Sequence, residues 1–193
     1  MSDMPEKAPR SRASLWLIIA LCVAPVVASY VTFYFFAPTG RTNYGELVET
    51  KPLPVERLNL ADGSAFKLDQ LRGKWLLMMT DDGACASNCP QQLLALRQLR
   101  LTQGRDMSRI ERVWLVTDNT LPAPELTAPY AGTWLVRAAG SELLKALSTD
   151  GTLRGYIHIV DPLGNLVLRY RSDADPGRII KDLTRLLKTS GIG

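Results

Sequence analysis

Histidine is nearly absent from this chain of 193 residues: it occurs once, as His158. That scarcity disfavours zinc, which wants four nitrogen or sulfur ligands. Cysteine is almost as sparse, with only Cys22, Cys85 and Cys89. There is no long basic run and no interleaving of basic with aromatic side chains. The net charge of +4 therefore reads as solvated surface, and no nucleic-acid partner is expected. Internal repeats, low-complexity tracts and collagen-like periods are also missing. Hydrophobic residues at 46% and charged residues at 22% match ordinary globular proteins. The length suits one domain and one additional element.

That element is a run without charge. Ser14 to Phe36 spans 23 residues, enough to cross the hydrocarbon core as a helix. Pro25 is tolerated in a membrane helix. Trp16 at one end and Tyr30, Phe33, Tyr34, Phe35 and Phe36 at the other resemble interfacial belts. A cleaved signal peptide is the competing reading, with Val26-Val27-Ala28 as its cleavage site. The apolar run continues well past Ala28, whereas signal cores are about 7–15 residues. The expectation is a cytoplasmic tail over 1–13, a single transmembrane anchor over 14–37, a linker over 38–52 and a domain over 53–193. Lys7, Arg10 and Arg12 keep the tail inside by the positive-inside rule. Everything after Pro38 then lies in the periplasm, behind the inner membrane, where disulfides persist. Cys22 sits in the anchor, so only Cys85 and Cys89 remain outside.

In the exported part, Asp62-Gly63 marks a hairpin between short alternating segments. Lys74 to Thr80 is a continuous apolar run, as in a strand buried on both faces. A helix is expected from Cys89 or Pro90 to Gly104, with apolar positions Leu93, Leu94, Leu96, Leu99 and Leu101. Arg112 to Asp118 reads as a second buried strand. Ser141 is a plausible cap for a following helix. Asp161 to Asn165 is the turn of a late hairpin. A final amphipathic helix carries Ile179, Ile180, Leu183, Leu186 and Leu187 on one face. Strand, helix, strand requires a right-handed crossover and a parallel pair, and the late hairpin adds antiparallel strands. The predicted class is an α/β sandwich with a mixed central sheet. The cysteines fall at the carboxyl end of its first core strand, where open α/β sheets place their sites.

Cys85 in a loop and Cys89 at a helix start can close a disulfide or hold one metal through two thiolates. The helix N-terminus favours a thiolate over a thiol at Cys89. As a structural bridge the pair closes too short a loop to constrain the unfolded chain much. Two soft thiolates select Cu(I), with a third donor unknown. His158 alternates with Ile157 and Ile159 and reads as a hydrogen-bonded core residue. Met78 and Met79 read as core. Asp81 and Asp82 are loop charges, hard ligands or acid–base groups, and beside thiols they oppose the helix end.

The segment Cys85-Ala86-Ser87-Asn88-Cys89-Pro90 after a buried strand, in a thioredoxin-like order and behind one anchor, resembles the Sco/SenC proteins. "DGSAFKLDQLRGKW", "VWLVTDNTLPAP" and "YIHIVDPLGNLV" resemble that family's lead-in, next strand and late hairpin. The resemblance implies a thioredoxin-like fold and a copper chaperone or thiol–disulfide factor for cytochrome c oxidase assembly. It further implies Cys85 and Cys89 as redox pair and copper ligands, and copper as cofactor. The implied partners are the oxidase copper-A subunit, a thioredoxin-like reductant and the lipid membrane. The chain departs from the pattern twice. Thr80-Asp81-Asp82-Gly83-Ala84 replaces an aromatic, Gly and Thr segment. The family's histidine ligand, eight residues before its Asp-Pro, falls here on Leu153. His158 is five residues further on, about 16 Å along a strand. A broader anchored oxidoreductase and a non-catalytic assembly scaffold are the alternatives. A peroxidase lacks a convincing Thr and Arg set.

Overall fold

The computed structural model describes residues 12–35, 43–86, 88–148 and 151–191. It divides into two units, Met1–Thr42 and Asn43–Gly193. Lys7, Arg10, Phe36, Pro38 and Ser87 lie outside the described residues. In the first unit, helix α1 (Arg12–Phe35) runs through Pro25 and buries none of its residues. It is long and apolar enough to cross a membrane, since about 20 apolar residues suffice.

The second unit is built on one eight-stranded sheet. Its strands are β1 (Glu46–Pro52), β2 (Leu58–Leu60), β3 (Ala65–Phe66), β4 (Trp75–Asp81), β5 (Ile110–Val116), β6 (Thr133–Arg137), β7 (Tyr156–Val160) and β8 (Asn165–Arg171). Their order across the sheet is β1-β8-β7-β4-β5-β6-β2-β3. The helices are α2 (Cys89–Leu101), α3 (Pro124–Thr127), α4 (Glu142–Leu147) and α5 (Pro176–Thr189). Strand β4 pairs parallel with β5 and antiparallel with β7. All seven of its residues are buried, as the uninterrupted apolar run predicts. The Asp62-Gly63 hairpin joins β2 to β3, and the Asp161–Asn165 turn joins β7 to β8.

Two cores lie on opposite faces of the sheet. One holds Leu77, Met79, Trp114, Ile157 and Ile159 under α2 and α5. The other holds Leu76, Met78, Val113, Leu115 and Val160 under α4. Ser141 caps α4 by accepting the Leu144 N–H at 3.2 Å, and Asp175 caps α5 by accepting the Gly177 N–H at 2.8 Å. On α2, Leu93, Leu96 and Leu99 are buried, but Leu94 and Leu101 face solvent.

The structure differs from the sequence expectation over the linker. Residues 46–52 form β1, paired with β8, rather than free chain. The segment ELVETKP has no apolar alternation, so its order comes from long-range contacts. Arg169 on β8 binds Glu46 through two bonds of 2.8 Å. Asp182 of α5 accepts the Tyr44 N–H at 2.7 Å, the Gly45 N–H at 3.0 Å and the Tyr170 hydroxyl at 3.0 Å. A Cβ on Gly45 would come within 2.6 Å of the Tyr170 ring, so a side chain there would displace this entry.

Replacing buried Asp182 by Ala leaves these three donors without their acceptor. Urea unfolding of Asp182→Ala is expected to lose about 3 kcal/mol. Hydrogen exchange over β1 should accelerate before exchange over β4 does.

Candidate functional site

Strand β4 ends at Asp81, and its end is held by the neighbouring strand. The Thr117 N–H donates to the Asp81 main-chain oxygen at 2.9 Å, and the Trp114 indole N–H reaches the same oxygen at 3.4 Å. Asp82 then shapes the turn. Its N–H donates to Asp81 Oδ1 at 2.9 Å. Its Oδ1 and main-chain oxygen both accept the Cys85 N–H, at 3.0 and 3.2 Å. The Gly83 N–H donates to Asp118 Oδ1 at 2.9 Å. A Cβ on Gly83 would stand 1.9 Å from the Thr120 carbonyl oxygen, so the position admits only glycine.

Cys85 leaves this turn at φ +48°, the only non-glycine residue with positive φ among the described residues. That conformation costs an L-residue about 1–2 kcal/mol. It turns the chain back toward α2, where Cys89 is the first helical residue and Pro90 the second. Proline is accommodated there because its missing N–H would have no intrahelical partner. Cys85 and Cys89 form a disulfide with Cα atoms 5.1 Å apart. Cys89 is fully buried and Cys85 is 5% exposed, so any attacking group meets Cys85 first. Both belong to the core that contains Met79, Leu93 and Trp114.

Beside the disulfide is a cleft of about 250 Å³, lined by Asp81, Asp82, Ala86, Asn88, Gln92, Arg154 and Gly155. Arg154, just before β7, bonds Asp82 Oδ2 through Nη2 at 2.6 Å and approaches Asp81 Oδ1 through Nε at 3.6 Å. Burial pushes the Asp81 carboxyl up from its usual range. The Asp82 N–H and Arg154 oppose that rise, and the Asp82 and Asp118 charges reinforce it. The Gln92 side-chain oxygen is buried with no hydrogen-bond partner. Neither Arg154 nor Gln92 carries a sequence signal: "TLRGYIHI" offers no motif, and Gln92 reads as an ordinary helix residue.

The structure brings Cys85, Cys89, Asp81 and Asp82 together. It keeps His158 apart. His158 lies opposite Met78 across the β4–β7 pair, and directly opposed residues share a face. That face belongs to the core of Leu76, Met78 and Val160, whereas the cysteines lie on the other. Tyr156 stands beside the imidazole at 6.2 Å between centroids. His158 is almost fully buried, and its Nδ1 has no hydrogen-bond partner, so the expected core placement holds without the expected bond there. Met78 and Met79 are both fully buried core residues on opposite faces. Leu153, at the position of the family histidine, accepts the Thr80 hydroxyl through its main-chain oxygen. Among the described residues, no three of His, Cys, Asp and Glu are placed so that they could hold one metal ion with the cysteines bridged. The donor set fits a dithiol–disulfide couple and does not complete a histidine-containing copper site.

A disulfide at the carboxyl end of the first core strand, with its second sulfur opening the next helix, defines a thioredoxin-like protein. The chain belongs to the family described as transmembrane-like, thioredoxin-like, C-terminal domain, which matches residues 75–190. A comparison with curated proteins finds no match by sequence. Among solved structures, copper-bound yeast Sco1 is similar at 16% identity and a TM-score of 0.62, covering 74% of this chain and 96% of that one. Apo Sco1 of Thermus thermophilus gives 22% and 0.60, covering 77% and 99%. BsSco, described as carrying a disulfide switch and as a member of the Sco family of cytochrome c oxidase assembly proteins, gives 15% and 0.56, covering 78% and 98%. At these identities the likeness is one of fold.

Burial, with the Arg169 charge second, lowers the His158 pKa to about 4 from 6.5. The unfolded chain therefore binds the extra proton between those values, and the folded chain does not. Stability from this residue is complete above pH 6.5 and is lost as pH falls toward 4. The expected loss is about 3 kcal/mol, and His158→Phe should flatten it in urea titrations repeated at each pH.

Proposed function

We propose that this protein is a membrane-anchored thiol–disulfide factor serving the copper-A site of cytochrome c oxidase. The observation that carries the reading is the Cys85–Cys89 disulfide at the β4 end, with Cys85 on its accessible side. The fold likeness to Sco proteins supplies the partner class. Helix α1 is the anchor, with the tail in the cytoplasm and the second unit in the periplasm, by the charge of Lys7, Arg10 and Arg12.

In the reduced form, the Cys85 thiolate attacks an oxidised cysteine pair of the copper-A subunit. A mixed disulfide forms and one partner thiolate leaves. Cys89, as thiolate at the helix start, then attacks Cys85, closing the bridge and releasing the second partner thiol. Two electrons and two protons pass to the partner. A thioredoxin-like reductant restores the pair. The α2 N-terminus stabilises the thiolate, and the accessible side of the bridge is Cys85.

Copper carried as cargo is the second reading. The fold neighbour yeast Sco1 binds it, and reduction of the bridge frees two soft sulfurs. Further donors would then come from the receiving partner.

Full-length protein in detergent, reduced, should convert an oxidised copper-A domain to its dithiol. Cys85→Ser and Cys89→Ser should each slow turnover by at least about a hundredfold. A parallel Cu(I) titration tests the second reading, and thiol transfer by the copper-free protein tests the first. Binding of one Cu(I) that both substitutions abolish, together with no thiol transfer, would replace the first reading with the second.

A further inference from the structure

We propose that Arg154 is a positioning residue for the redox pair, acting through Asp82. The inference rests on the thiol–disulfide reading above, but its measurement does not need the physiological partner. The Asp82 carboxylate works in two directions. One oxygen accepts the Cys85 N–H at 3.0 Å, and the other is bonded by Arg154 at 2.6 Å. Cys85 is the single described non-glycine residue at positive φ. The left-handed turn that brings its sulfur to Cys89 is therefore held by two acceptors on Asp82, its main-chain oxygen at 3.2 Å and a carboxylate oxygen that Arg154, next to β7 and far along the chain, keeps in place.

The surrounding charges say why the arginine is needed. Asp81 and Asp82 are adjacent, and Asp118 adds a third carboxylate near Asp81. Arg154 is the cation paired with the first two. Remove it, and repulsion drives the Asp82 carboxylate outward, away from the Cys85 N–H. Cys85 then relaxes toward negative φ, and its sulfur no longer waits beside Cys89. The bridged state becomes less stable relative to the dithiol.

This sign is diagnostic. A cation that merely stabilised a thiolate would favour the reduced form, so its loss would favour the bridge. A cation that positions Cys85 favours the bridge, so its loss favours the dithiol.

The measurement is equilibration of full-length protein with glutathione. The protein disulfide and two glutathione thiols give the protein dithiol and glutathione disulfide, with two electrons and two protons passing to Cys85 and Cys89. Arg154→Ala should lower the oxidised-to-reduced ratio about tenfold, a rise in potential of about 30 mV. Asp82→Ala should do the same, and the double variant should shift no further than either single one. Arg154→Lys, which retains a charge but not the planar fork, should recover part of the loss. Melting of the reduced proteins checks folding. Should Arg154→Ala fail to fold, Arg154→Gln carries the same comparison. An unchanged potential, a shift of opposite sign or additive single effects would overturn the proposal. Failure of the wild-type protein to reduce a copper-A domain would instead overturn the functional reading, leaving the glutathione result intact.

Discussion

The complete burial of β4 is the constraint on which the rest of the unit depends. A strand with no exposed residue needs partners along both edges and cover on both faces. β5 and β7 supply the edges, and the two cores supply the cover. A strand so enclosed has a fixed end. The Asp81 main-chain oxygen is held by β5 and the residue after it. The acidic turn, the strained cysteine and the start of α2 therefore begin from a rigid point. The site is a property of the core as much as of the loop that carries it.

The same pleat separates the cysteines from the histidine. In a strand, neighbouring residues face opposite sides. Ile157 and Ile159 join the core that contains the cysteines, so His158 must join the other. No movement of a few ångströms could bring its imidazole to the sulfurs, because the sheet itself stands between them. What the pair has instead for neighbours are carboxylates, a guanidinium and a buried amide. Those groups suit hydrogen bonding and proton balance better than soft-metal ligation.

Much of this was legible in the sequence wherever the governing interactions are local or periodic. The run Lys74 to Thr80 announced a buried strand. Asp62-Gly63 and Asp161–Asn165 announced hairpins, Ser141 a helix cap, and Cys89-Pro90 a helix start. The parity of Ile157, His158 and Ile159 was readable, and with it the face that His158 takes. Strand β1 was not legible, because Arg169 and Asp182, more than a hundred residues away, hold its Glu46 and the residues just before it. Strand β6 was missed as well. Three of its five residues are only half-buried, so its pattern is weak. Arg154 was invisible for a related reason: its meaning lies in two aspartates that only the packing of β7 against β4 brings near.

The sheet is open, and its two edges are unlike. One is β3, only two residues long. The other is β1, which carries Glu46, Glu49, Lys51 and Pro52. Long, flat, apolar edges invite other chains to add on as further strands, and charge, brevity and proline discourage it. Strand β1, which gives little to the core, thus makes its edge a poor template for a second copy of the chain.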